Sequence, residues 1–175
     1  MNDLMTRVRA VLTTTPTRWL ALTQTLPSDL LTRAPAPGEW SAADCLRHLL
    51  DTERGVFPPR VQAFLAGRDF QAFDPDAEGT PDTGQSPAEL AAAFAAARAE
   101  SLVALQHIAA HDLARTARHS ELGTVRLDAM LNEWAAHDLM HTVQAERALM
   151  QPFIAHCGPW RSFFTDHDVT LKQQA

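Results

Sequence analysis

Apolar side chains recur at intervals of three and four through most of the chain, the pattern of helices that bury one face. Leu4, Val8, Val11, Thr15, Trp19, Leu22 and Leu26 trace such a stripe through the first segment, with Pro16 placed to bend it. Residues 27–39 carry Pro27, Pro35, Pro37 and Gly38 and read as a connector, because proline removes a backbone donor and restricts φ. Ser41 with Asp44 three residues later resembles a capping box, Asp replacing the usual Glu. Leu46, Leu49, Leu50, Glu53 and Phe57 then continue a helical stripe that Pro58 and Pro59 should kink or end. Residues 67–86 hold Gly67, Gly79, Gly84, Pro75 and Pro81 among Asp and Thr, which predicts a long exposed loop.

Ser86, Pro87 and Glu89 make the clearest helix start in the chain: a hydroxyl cap, a proline at the first helical position and a carboxylate returning to the cap. The helix is expected to reach about His111, with Leu90, Phe94, Ala97, Leu105 and Ile108 at helical spacing inside an alanine-rich run. A fourth helix is expected from about Leu127 to Met150, with Leu127, Leu131, Trp134, Ala145 and Leu149 on one side and Pro152 as its stop. The tail FIAHCGPWRSFF is aromatic enough that Trp160, Phe163 and Phe164 should cover an end of the core. No segment alternates like a strand. The chain therefore reads as all-α, a single domain over residues 1–175: a four-helix bundle with long inter-helix loops and a short C-terminal helical tail. The long second and third connections suit a non-sequential or crossover order of helices.

Composition narrows the function classes. The chain has 175 residues, 46% of them hydrophobic, and its 15 Lys and Arg against 21 Asp and Glu give a net charge of -6. Nothing in that balance supplies the cationic field that collects phosphates, so no nucleic-acid partner is expected. No run approaches the roughly 20 consecutive apolar residues of a membrane-spanning helix, so no membrane partner is expected either. Asp3, Arg7, Arg9 and Arg18 are spread through the first 26 residues rather than gathered ahead of an apolar run, which points to a cytoplasmic protein. Cys45 and Cys157 are too few for a disulfide scaffold and read as free thiols.

The candidate chemistry lies on the fourth helix. At about 100° per residue, His141 falls about 20°, His137 about 60° and Asp138 about 40° from Trp134, so all three polar side chains face the core. Unpaired polar groups there cost stability, and histidines four residues apart stack one turn above another so that their ring nitrogens can converge on one cation. His48, on the flank of the second helix's stripe beside Cys45 and Thr52, is the best candidate for a third ligand. His107, His111 and His119 form a competing trio, but His107 and His111 fall off their helix's apolar stripe and should be solvated. Ligand histidines usually donate their other N–H to an oxygen acceptor, and Asp138, Glu133 and Asp44 are the candidates for that role. Cys45, one turn before His48, is either an extra ligand or, more commonly for such a residue, a buried thiol.

The segments EWSAADCLRHLLDTE and EWAAHDLMHTVQAER resemble the DinB-like (DNA-damage-inducible) four-helix-bundle proteins, the first in its Trp-Ser helix start followed by a histidine, the second in its HDxxH helix. Gly158, Pro159 and Trp160 are similar to a terminal GPW of some members. The resemblance spans most of the chain and implies His48, His137 and His141 as three ligands of a divalent metal ion. Three neutral imidazoles leave coordination positions open, as in a catalytic site. Zinc or nickel is the first expectation, with manganese or iron also compatible. The activity implied is transfer of a low-molecular-weight thiol to an electrophile, or a related hydrolysis or isomerisation. The alternative is a metal-binding stress-response protein without turnover, a candidate homodimer through an exposed helix face. The absence of tyrosine removes one common proton-transfer residue.

Overall fold

Proline inside a helix removes one hydrogen bond, yet the first helix, α1, runs unbroken from Asp3 to Thr25 with Pro16 buried inside it. The computed structural model describes residues 3–73 and 84–172. After α1 come a short α2 (Ser28–Thr32), inside what the sequence reads as a plain connector, then α3 (Ala42–Gly55) and α4 (Phe57–Ala66). Both capping boxes form. Ser41 Oγ accepts from Asp44 N at 3.2 Å while Asp44 Oδ2 accepts from Ser41 N at 3.0 Å, and Ser86 and Glu89 repeat the arrangement at the start of α5 (Pro87–Ala104). Pro58 and Pro59 break the second stripe as expected: they sit in the first turn of α4, where backbone donors lack partners anyway. The long loop expected over residues 67–86 falls largely on residues 74–83, outside the described residues.

Four expectations need correction. The third long helix ends at Ala104 rather than near His111, because Asp112 Oδ2 captures the backbone N–H of Ala109 at 3.0 Å and offers the chain a turn in place of the helix. An antiparallel hairpin follows, β1 (Thr116–His119) with β2 (Gly123–Arg126), where no strand was expected. Its inward residues in β1 are Ala117 and His119, which carry no apolar alternation to read. The fourth helix, α6, spans Leu127–His156 and passes through Pro152; Ile154, in its last turn, is buried. Finally, the tail does not bury its aromatics: Trp160 is 64% and Phe163 79% exposed. The tail is tied to α6 through Gln151, whose Oε1 accepts from Val169 N at 3.1 Å and whose Nε2 donates to the His167 carbonyl at 2.9 Å, and it is braced internally by Arg161 Nε on Asp168 Oδ2 at 2.8 Å, before the short α7 (Val169–Lys172) begins with Val169 buried.

The long helices form a four-helix bundle in which α1 and α3 each pack against both α5 and α6. Chain order and spatial order therefore differ. The core has two apolar halves. Val8, Leu12, Phe57, Leu105, Leu131 and Trp134 belong to one, and Trp19, Leu46, Leu49, Phe94, Ala145 and Leu149 to the other. Along α1 and α6 the chain passes from the first half to the second, and along α5, and from α3 into α4, from the second to the first. Between the halves each long helix contributes polar residues, and this middle layer holds the chemistry.

Candidate metal centre

Arg98 of α5 occupies the middle layer and is 1% exposed. A buried cation needs close partners. Its Nη1 meets Asp138 Oδ2 of α6 at 2.6 Å, its Nη2 meets Asp138 Oδ1 at 3.0 Å and Glu53 Oε2 of α3 at 2.8 Å, and Nη1 also donates to the carbonyl of Leu12 in α1 at 3.0 Å. That carbonyl is the one Pro16 leaves without its helical partner. One guanidinium thus joins all four long helices and satisfies the carbonyl left free by a proline. Its face also lies over Phe94 and Trp134, with 4.8 and 5.5 Å to the ring centroids.

Beside this network the structure brings His48 of α3 together with His137 and His141 of α6. One ring nitrogen from each lies within 4.8 Å of the others, and His48 Nε2 is 3.0 Å from His137 Nε2. Such a cluster forms because α3 and α6 pack directly against each other and the histidines of α6 are one turn apart. Burial holds the rings neutral: His48 is pushed down to about 4 and His137 to about 3, in each case by desolvation first and then by the neighbouring imidazoles. His141 is lowered by burial too, opposed by Gln144 and by the charge of Asp138. Neutral imidazoles are the form that ligates metals. Aromatic rings wall the cluster: Trp40 stacks on His141 with centroids 5.6 Å apart, and Phe57 presents its ring to His137 at 5.1 Å.

The donor set fits a divalent cation. His141 Nδ1 lies 2.9 Å from Gln144 Oε1, an acceptor, so Nδ1 carries the proton and Nε2 is left with its lone pair. His48 Nδ1 and His137 Nδ1 are buried without a hydrogen-bond partner among the described residues.

None of the three carboxylates expected to steady the histidines is hydrogen-bonded to one of them among the described residues. Asp138 is turned to Arg98, so it acts on His141 only through its charge. Asp44 caps α3 and pairs with Arg47 at 2.7 Å. Glu133 lines the same cavity as the histidines but faces Arg60 at 4.0 Å, with its carboxyl raised above the usual range by burial. Gln144 holds the position expected of a carboxylate. Its spacing of three from His141 was the available signal, since side chains three apart on a helix are neighbours. Arg98 and Arg60 are not among the sequence candidates, and Glu53 and Trp40 appear there only in a helical stripe and a helix-start motif; an arginine in the apolar stripe of an alanine-rich helix and a glutamate in that of α3 are the visible hints. Cys45 is buried in the second apolar half, its thiol pushed up to about 12, and is not among the clustered donors. Of the competing trio, His107 and His111 are exposed in the segment after α5, whereas His119 is buried in the hairpin and its Nδ1 accepts from the backbone of Glu121 and Leu122.

The sequence profile of the DinB superfamily matches residues 12–145. No curated protein matches the chain. Among solved structures, YfiT from Bacillus subtilis, described as a probable metal-dependent hydrolase with an unusual four-helix bundle topology, superposes with a TM-score of 0.75 at 14% identity, covering 87% of this chain and 89% of its own.

Proposed function

The chain belongs to the DinB superfamily, and from that premise we propose that it is a divalent-metal-dependent enzyme that transfers a low-molecular-weight thiol to an electrophilic substrate. The observation that carries the proposal is the convergence of three neutral imidazoles from two helices at the wall of an open cavity of about 290 Å³. A divalent ion held by three nitrogens keeps positions for exchangeable ligands and supplies the positive charge that lowers a nucleophile's pKa. Zinc or nickel suits such a set best, and manganese or iron is compatible with it.

The chain's own groups do the rest. Gln144 fixes the His141 tautomer, while Trp40 and Phe57 hold the rings in place and keep water from their faces. In the transfer the thiol S–H bond breaks, sulfur bonds to the electrophilic carbon, and the leaving group departs with the displaced electron pair. The proton passes to solvent through the half-exposed Glu133, whose basicity burial has raised. Hydrolysis is the second reading, favoured by the description of YfiT as a probable metal-dependent hydrolase.

The test is turnover by the metal-loaded protein with a panel of small thiols against alkylating electrophiles, run beside ester and amide substrates in water alone. Thiol-dependent turnover that disappears in His141→Ala is the expected result. Thiol-independent cleavage lost in the same variant would replace transfer with hydrolysis. Bound metal without turnover of either kind would make the chain a non-catalytic metal-binding stress-response protein.

A further inference from the structure

The cavity at the histidines adjoins a second one of about 250 Å³, and Arg60 and Glu133 line both. Away from these two residues the second cavity is walled by Phe70, Val125, Ala129 and Met130, with His119 beside them and Leu122 at its rim. Leu122 is 73% exposed at the turn of the hairpin, an apolar side chain kept in water beside an apolar hollow. A cavity of about 150 Å³ already accepts a benzene ring, so this one has room for a ring or a short alkyl chain.

Arg60 is poorly matched to its position. Its side chain is only 11% exposed, yet its polar partners among the described residues are distant, Glu133 at 4.0 Å and the Gln71 carbonyl at 3.4 Å, while its guanidinium carbon lies 5.2 Å from the centre of the Phe70 ring. Arg98, equally a buried guanidinium, has three ionic contacts of 3.0 Å or less. Desolvation destabilises the charged form of Arg60, and the distant Glu133 only partly opposes it. A cation buried this far and held this loosely is stabilised by an incoming anion that reaches it bidentately.

We propose that the Phe70–Met130 cavity and Arg60 together form the specificity subsite for the electrophile, taking a small monocarboxylate whose apolar body fills the cavity while its carboxylate meets the guanidinium. The inference rests on the proposed function for the role of the bound molecule, and on the two adjoining cavities for its place. A single carboxylate fits better than a dianion, since Glu133, on the wall that the two cavities share, repels extra negative charge in either of them. On binding, the ligand replaces Glu133 as the partner of Arg60, and Glu133, already half exposed, turns to the metal cavity where it relays the proton. Leu122 is then covered by the ligand's apolar end.

The experiment is a titration of the full chain, metal-free and metal-loaded, with acetate, butyrate and hexanoate and with the matching alcohols, followed by NMR. In the metal-free protein, affinity should rise about two- to fourfold per added methylene, and each acid should bind at least about tenfold more tightly than its alcohol. Arg60→Gln should abolish the preference for acids and keep the dependence on chain length, and Arg60→Lys should restore part of the preference. Val125→Trp, which fills the cavity from its wall, should flatten the dependence on length and keep the preference for acids. Equal binding of hexanoate and hexanol by the folded wild type would overturn the proposal, as would a preference that survives Arg60→Gln. Because the decisive arm contains no metal, failure here leaves the metal centre standing, and failure to bind metal in a separate dialysis leaves this subsite standing.

Discussion

A ring nitrogen can ligate a cation only if it carries no proton, and at each histidine of the cluster the structure gives a reason for that. At His141 the reason is Gln144, whose Oε1 accepts a hydrogen bond from Nδ1–H and so leaves Nε2 unprotonated beside the other two rings. Gln144→Leu should weaken metal binding by about 10- to 100-fold while leaving the fold intact, read by competition with a chromophoric chelator. At His48 and His137 the reason is burial. With folded-state values near 4 and 3 against about 6.5 in the unfolded chain, the unfolded state binds protons that the native state refuses. Stability of the metal-free protein should therefore be flat above about pH 6.5 and fall as pH drops towards 4, by about 1.4 kcal/mol per pH unit for each such histidine. Urea midpoints across that range check this, and His137→Phe should remove one histidine's share of the slope. An unchanged slope in the variant would mean that His137 is protonated in the native state.

At the scale of elements, the polar layer explains why two apolar half-cores form one bundle. Arg98 replaces what would be a hydrophobic contact across the bundle with ion pairs to α3 and α6 and a hydrogen bond to α1. Removing one partner of a buried ion pair leaves the others uncompensated, so Arg98→Met should destabilise by about 3–5 kcal/mol in chemical unfolding. A loss below 1 kcal/mol would show the layer to be solvated. Ser86→Ala, which removes a cap at the surface, should cost only about 1 kcal/mol by the same measurement.

The elements also show what could be read from the chain and what could not. Helix starts were legible because Ser41–Asp44 and Ser86–Glu89 are local chemistry, complete within four residues. Helix ends were not, since Asp112 stops α5 from beyond the helix and α6 continues through Pro152 on the strength of tertiary packing at Ile154. The hairpin is not legible because its inward side is Ala117 and His119, and the exposure of the tail is not legible because aromatic composition does not say which way a ring points. Within the site, the HDLMH pair was visible from helical geometry alone and His48 needed its helix stripe and the family resemblance. Asp138 was rightly placed inside but wrongly paired: its partner lies 40 residues away on α5, and one helix's angles cannot show that.

For the whole molecule, surface charge and the placement of the site set the expected partners. With a net charge of -6, the protein should bind duplex DNA no better than an unrelated acidic protein does at 150 mM salt, measured by mobility shift. Micromolar binding that weakens steeply with added salt would contradict that. No helix among the described residues is long and apolar enough to cross a membrane. What remains is a cavity that opens a three-imidazole cluster to small molecules from one side of a four-helix bundle. The most direct measurement is a cobalt(II) titration of the metal-free protein followed by addition of a small thiol, repeated for single alanine variants at five histidines. The wild type should take up about one ion, and the thiol should then add a saturable near-ultraviolet charge-transfer band, because sulfur enters a position the protein leaves open. His48→Ala, His137→Ala and His141→Ala should each lose the ion, while His107→Ala and His111→Ala keep both ion and band. Full occupancy in His141→Ala, or a sulfur band in the wild type before any thiol is added, would contradict an open centre held by these three histidines.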